Sequence, residues 1–126
     1  MSNKFYTYVR PNSNTKVELI FGINRFKVLN NYYSFMINEN GNLTLMKYFE
    51  GKYENLIENQ NKYIENYNKN NTYKMEVSYN TFNGNIVANL DNDIIYSTCD
   101  ATLKGSKVGF ISHAKNTIIT QILLDD

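Results

Sequence analysis

The feature that most constrains this chain is a period of two in its apolar residues, broken at short intervals by turn signals. In Tyr73 to Tyr79, the residues Tyr73, Met75, Val77 and Tyr79 alternate with Lys74, Glu76 and Ser78. Successive side chains of a strand point to opposite faces, so this pattern is that of a half-buried strand. The same reading groups Tyr33, Phe35 and Ile37 on one face, and Ile86, Ala88 and Leu90 on another. Leu43, Leu45 and Phe49 form a further inner set, with an irregularity expected near Lys47. Asn40-Gly41 and Asn83-Gly84 separate alternating runs and read as hairpins, because both residue types tolerate positive φ. Glu50-Gly51 and Asp91-Asn92 read as further turns.

Lys4 to Arg10, Lys16 to Asn24, Lys107 to Ser112 and a closing run from Thr117 to Leu124 bring the count to about nine or ten short strands, which predicts an antiparallel two-sheet sandwich or a barrel. The exception is a polar, Asn-rich stretch around 53–71, which reads equally as a loop or a short helix, since Asn lowers helix propensity. At 126 residues, with 42% of them hydrophobic, the chain can bury one core and is predicted to be a single domain over 1–126.

Composition removes several classes of function. Thirteen basic residues against twelve acidic ones leave a net charge of +1, which argues against a nucleic-acid partner. No stretch approaches the roughly 18 apolar residues of a membrane span. One Cys and one His make neither an internal disulfide nor a conventional zinc site. The 22 Asn, together with abundant Lys, Ile and Tyr, match the codons of an AT-rich genome, so an Asn is informative only where it makes a turn.

The ordered strands resemble those of concanavalin A-like, laminin-G-like jelly rolls. The resemblance rests on Val17 to Asn38, then Gly41, Leu43, Leu45 and Lys47, then Tyr73, Met75 and Val77, then Ile86, Ala88, Leu90 and Asp91, and finally Gly105, Val108, Gly109, Phe110 and Ser112 before the closing run. It covers about 16–124. Gly109 is expected to permit a close backbone approach there. The chain is short for that family, and Lys4 to Arg10 would have to supply an N-terminal strand. The resemblance implies recognition of glycans or protein partners, often by an accessory module of a larger surface or secreted protein, and in some members glycan hydrolysis.

Hydrolysis needs two carboxylates about 5 to 10 Å apart, and the acidic i, i+2, i+4 run of the catalytic members is missing. No enzyme is expected. Asp91 and Asp93 fit turn chemistry; with Asp100 they are weak candidates for calcium, and no cofactor is otherwise expected. Cys99, expected to point inward, and His113, expected in a solvated turn, lack any activated-nucleophile pattern.

The candidate ligand residues are the outward positions Ser34, Met36, Thr44 and Met46, with Arg25, Tyr32 and Lys47 beside them. Tyr32 and Tyr33 should face opposite sides, with Tyr32 exposed. Exposed Met36 and Met46 would form an apolar patch, which suits a ligand or, as the alternative, an assembly surface against another subunit or domain. Asn42-Leu43-Thr44 and Asn70-Asn71-Thr72 match the glycosylation sequon. Met1 to Arg10 has no apolar h-region. A complete chain is therefore expected in the cytoplasm, and a fragment of a secreted protein outside the cell or at its surface.

Overall fold

The computed structural model describes residues 2–27 and 29–124. The alternating runs become strands: β1 (Ser2–Arg10), β2 (Val17–Ile23), β3 (Asn31–Ile37), β4 (Asn42–Phe49), β5 (Lys52–Asn55), β6 (Lys62–Tyr63), β7 (Tyr73–Asn80), β8 (Asn85–Leu90), β9 (Asp93–Cys99), β10 (Lys107–Ser112), β11 (Ile118–Ile119) and β12 (Leu123–Leu124). They build two antiparallel sheets. The first has the order β11-β1-β7-β8-β9, with β12 also on β1; the second has the order β10-β2-β3-β4-β5, with β6 also on β4. The chain therefore changes sheet after Pro11, again before β7, and twice more around β10.

The hairpins follow the turn chemistry. Glu50 and Gly51 (φ 50° and 83°) connect β4 to β5, and Asp91 and Asn92 (φ 49° and 72°) connect β8 to β9. Both are two-residue turns whose positive φ matches the twist of the flanking strands. At the β7–β8 turn the Asn80 side chain accepts hydrogen bonds from the Phe82 and Asn83 amides, at 2.9 and 3.3 Å.

The core lies between the sheets. Phe5, Val9, Met75, Val77, Tyr79, Ile86, Ala88 and Tyr96 from the first sheet meet Val17, Leu19, Phe21, Tyr33, Phe35, Ile37, Leu43 and Leu45 from the second. Phe21, Tyr33 and Tyr79 form an aromatic triangle with centroids 5.2 to 5.7 Å apart. Buried tyrosine hydroxyls need partners, and these find them across the sandwich. Tyr96 donates to the Leu43 carbonyl at 2.7 Å and accepts from the Lys62 amide at 3.1 Å. Tyr96→Phe leaves both groups unsatisfied, and a loss of about 1–3 kcal/mol is expected in urea unfolding.

Of the two readings of residues 53–71 the structure takes the loop and forms no helix; β5 extends the second sheet, β6 caps it, and turns fill the remainder. Other expectations are corrected. The β3–β4 ladder runs without irregularity through Lys47, which shares the inner face with Leu43 and Leu45. Cys99 is exposed and bonds the Asn83 carbonyl. A register shift between Ala88 and Asn89 makes Ile95 an extra residue in β9, which flips the phase so that Tyr96 and Thr98 point inward and Cys99 outward. The closing run is split into β11 and β12, with the Thr120 hydroxyl accepting from the Tyr8 amide between them.

Candidate functional site

The face of the second sheet turned away from the core carries the distinctive chemistry. Register places Glu18, Met36 and Thr44 side by side across β2, β3 and β4. The next row is Ile20, Ser34, Met46 and Asn55, and the third is Tyr32, Tyr48 and Tyr53. No sheet packs on this side, yet Glu18 is only 4% exposed, Tyr32 5%, Ser34 0% and Met36 8%. The expectation of an exposed Tyr32 and an exposed methionine patch is therefore corrected. Outward residues here are covered by their own neighbours, with Ile111 of β10 flanking Glu18 on one side and β5 extending over the other.

The three tyrosines form a ladder. Ring centroids are 5.2 Å apart for Tyr32–Tyr48 and 4.7 Å for Tyr48–Tyr53, and the Tyr32 and Tyr53 hydroxyls share a 3.1 Å hydrogen bond. Burial first, and that hydrogen bond second, push the Tyr32 phenol upward from its ordinary pKa. Tyr53 is 54% exposed, so its ring remains available at the edge of the face.

Beside this ladder lies a cavity of about 340 Å3 with Glu18, Met36, Thr44, Met46 and Tyr53 in its walls, and Lys16, Asn38 and His113 complete the lining. Glu18 accepts a 2.8 Å hydrogen bond from the Ser34 hydroxyl through Oε1. Its other carboxylate oxygen takes no hydrogen bond from a described residue. A buried carboxylate requires further donors, and this one has an open volume in front of it. Asn38 donates to Thr44 Oγ1 at 3.3 Å and so ties the polar side of the lining together.

No protein-family model matches the sequence, and no curated protein matches it. The backbone does match solved structures. A carbohydrate-binding module, CBM66 from Bacillus subtilis, aligns at TM-score 0.80 over 99% of this chain and 75% of its own, with 9% identity. Caenorhabditis elegans galectin LEC-6 aligns at 0.67 over 98% and 82%, with 10% identity. Domains LG4-5 of the mouse laminin alpha1 chain align at 0.55 over 98% of this chain and 35% of theirs, with 10% identity. The fold is the concanavalin A-like jelly roll. Identities this low explain why backbone geometry shows the likeness and sequence comparison does not.

The jelly roll distributes the sequence-predicted residues unevenly. Tyr32, Ser34, Met36, Thr44 and Met46 share the outer face. Arg25 lies in the loop after β2, lining a separate cleft. Lys47 lies on the opposite side of the sheet, where it meets Asp100 Oδ2 at 2.9 Å and Glu54 at 3.2 Å. Burial works against its charge, but these two carboxylates outweigh it and hold its pKa above the ordinary value. Asp91 and Asp93 lie at one end of β9 and Asp100 just beyond the other, so the three aspartates do not converge. Asp91 instead accepts from the Lys74 amide at 2.8 Å. Among the described residues no group of three or more His, Cys, Asp or Glu is placed to hold a metal ion. Cys99 ends β9 of the first sheet, and His113 lies just beyond β10 of the second. Glu18, Lys16, Asn38 and Tyr53 were not singled out by the sequence. The available signal was Glu18 itself, a lone charge inside the apolar run VELIF.

Proposed function

We propose that this chain is a non-catalytic binding module that takes a glycan on the outer face of its second sheet. The observation that carries this reading is the buried Glu18 carboxylate, held on one oxygen by Ser34 in the wall of an open cavity. A sugar supplies what this arrangement lacks. Its hydroxyls donate to the free carboxylate oxygen, Thr44 and Asn38 offer neutral hydrogen-bonding partners, and its C–H face packs on the Tyr53 ring. Structural neighbours named as a carbohydrate-binding module and a galectin support the same reading. Hydrolysis would need a second carboxylate across the sugar, and among the described residues Glu18 is the only acidic side chain lining the cavity. The assembly alternative relies on exposed methionines, and Met36 is buried.

The test is a glycan array followed by calorimetry on the best binder. Glu18→Gln removes a charge-assisted acceptor, worth about 1.5–3 kcal/mol, and should weaken binding roughly 10- to 100-fold. Tyr53→Ala should weaken it as well, with the melting temperature measured alongside to show that both variants remain folded. Unchanged affinity in both folded variants, or an array with no binder, sinks the proposal.

A further inference from the structure

A second cleft, of about 550 Å3, opens at one end of the sandwich between the loop that follows β2 and the segment that leads into β10. It shares no lining residue with the Glu18 cavity. Its polar lining is Asn24, Arg25, Asn30, Asn31, Thr102 and Lys104, with Phe49 supplying an apolar wall. Among the described residues two cations and no acidic side chain line it. Lys47, by contrast, has Asp100 and Glu54. Here the match is missing. Arg25 makes no hydrogen bond or ion pair with a described residue. Among the described residues Lys104 donates only to the Thr81 carbonyl, at 3.1 Å, and an ammonium has three donors. Asn31 accepts from the Glu50 amide through Oδ1, so its NH2 group is free to donate.

Two like charges converging on one cleft repel each other, and the local potential is positive although the whole chain is nearly neutral. The guanidinium fork matches the paired oxygens of a carboxylate or sulfate, and the ammonium adds a point charge beside it. The rest of the polar lining consists of three carboxamides and a hydroxyl, which outnumber the cations and suit a polyol better than an extended acidic peptide. The volume falls within the range of small-molecule sites, roughly 300–1,000 Å3.

We propose that this cleft is a second binding site, for an acidic sugar residue. Its oxyanion sits on Arg25 and Lys104, its hydroxyls on the Asn carboxamides and Thr102, and its apolar face against Phe49. The site is independent of the Glu18 cavity and does not require it.

The test is a titration of the intact chain, followed by NMR and calorimetry. The probes are a galacturonic acid oligomer, a sulfated heparin oligosaccharide, a neutral glucose oligomer of the same length, and poly-glutamate. An acidic oligosaccharide should shift the side-chain amides of Asn24, Asn30 and Asn31. Its affinity should fall roughly tenfold or more in the Arg25→Gln, Lys104→Gln double variant, and should fall as salt is raised from about 50 to 500 mM. The affinity read from those Asn amides should be the same in the Glu18→Gln chain, whatever binds at the Glu18 cavity, so the two sites fail separately. Binding of the uronate alone identifies a carboxylate site, binding of the heparin fragment alone a sulfate site, and binding of both a general oxyanion site. The proposal is overturned if neither acidic oligosaccharide binds, if the double variant binds as tightly as the original chain, or if the neutral oligomer or poly-glutamate shifts the Asn24, Asn30 and Asn31 amides with equal affinity.

Discussion

Replacing Gly105 by alanine is expected to leave little folded protein. A Cβ at this position would lie 2.2 Å from the Ile23 carbonyl carbon, 2.3 Å from its oxygen and 2.5 Å from the Asn24 nitrogen. All three are backbone atoms, so no side chain can swing aside to make room. Relief requires the segment before β10 to move off the end of β2. That movement would pull Leu103, which is 7% exposed, away from the Tyr33 and Tyr79 hydroxyls that bond its amide and carbonyl. The cost should be about 3 kcal/mol or more, at the top of the range for overpacking. Gly51→Ala is the control. Its Cβ would meet nothing within 4 Å, but φ is +83°, so only the left-handed backbone penalty applies, roughly 1–2 kcal/mol. Denaturant unfolding of the two variants separates the mechanisms. If Gly105→Ala is no less stable than Gly51→Ala, the close packing of these segments is refuted.

That contrast also marks what the sequence made legible. The Gly105 to Ser112 element was recognisable, but close approach was expected at Gly109, where an added Cβ would chiefly meet the Phe26 ring and the Ile20 side chain. Which glycine lies against backbone depends on the partner segment, and that partner is some 80 positions earlier in the chain. Local chemistry was readable: positive φ at Glu50-Gly51 and Asp91-Asn92, and alternation in β3, β7 and β8, depend on neighbours in sequence. Long-range pairing was hidden. Lys47 looked irregular among apolar inner residues because Asp100, which compensates it, is far away in sequence. Alternation placed Met36 and Tyr32 on the outer face correctly but could not foresee their burial, because the cover comes from other strands. Tyr53, the exposed end of the tyrosine ladder, fell in the stretch where a helix was an open alternative. The candidate face was thus half legible: its central strand pair was found, while Glu18 and Tyr53 were missed.

Removing the Asp100 charge should produce the other large effect, and one that depends on pH. Asp100 receives hydrogen bonds from the Tyr33 hydroxyl at 2.5 Å, Lys47 Nζ at 2.9 Å and the Thr102 amide at 3.0 Å, and it links β3, β4 and the end of β9. Burial pushes its carboxyl upward, but the bonds from Tyr33, Lys47 and Thr102 outweigh burial and hold the pKa at about 2. The unfolded chain should titrate near 3.9. A carboxylate with a depressed folded pKa stabilises the fold above its unfolded value, and loses that contribution as pH falls through its folded one. The contribution is therefore complete above about pH 4 to 5 and fades toward pH 2. Asp100→Ala takes the acceptor from three donors, one of them a lysine whose side chain is only 12% exposed and which keeps Glu54 alone as its ion-pair partner, so a loss of about 3 kcal/mol is expected at pH 7, or roughly 10 °C in melting temperature. Asp100→Asn retains the shape and loses the charge, and should cost about 2 kcal/mol. Its difference from the original chain should be steady from pH 7 to about 5 and then narrow as pH falls from 4 to 2, because protonation removes from the aspartate what the substitution has already removed. Thermal unfolding of both proteins across this range decides the matter. A gap that stays constant down to pH 2 would mean that the Asp100 charge contributes nothing to joining the two sheets.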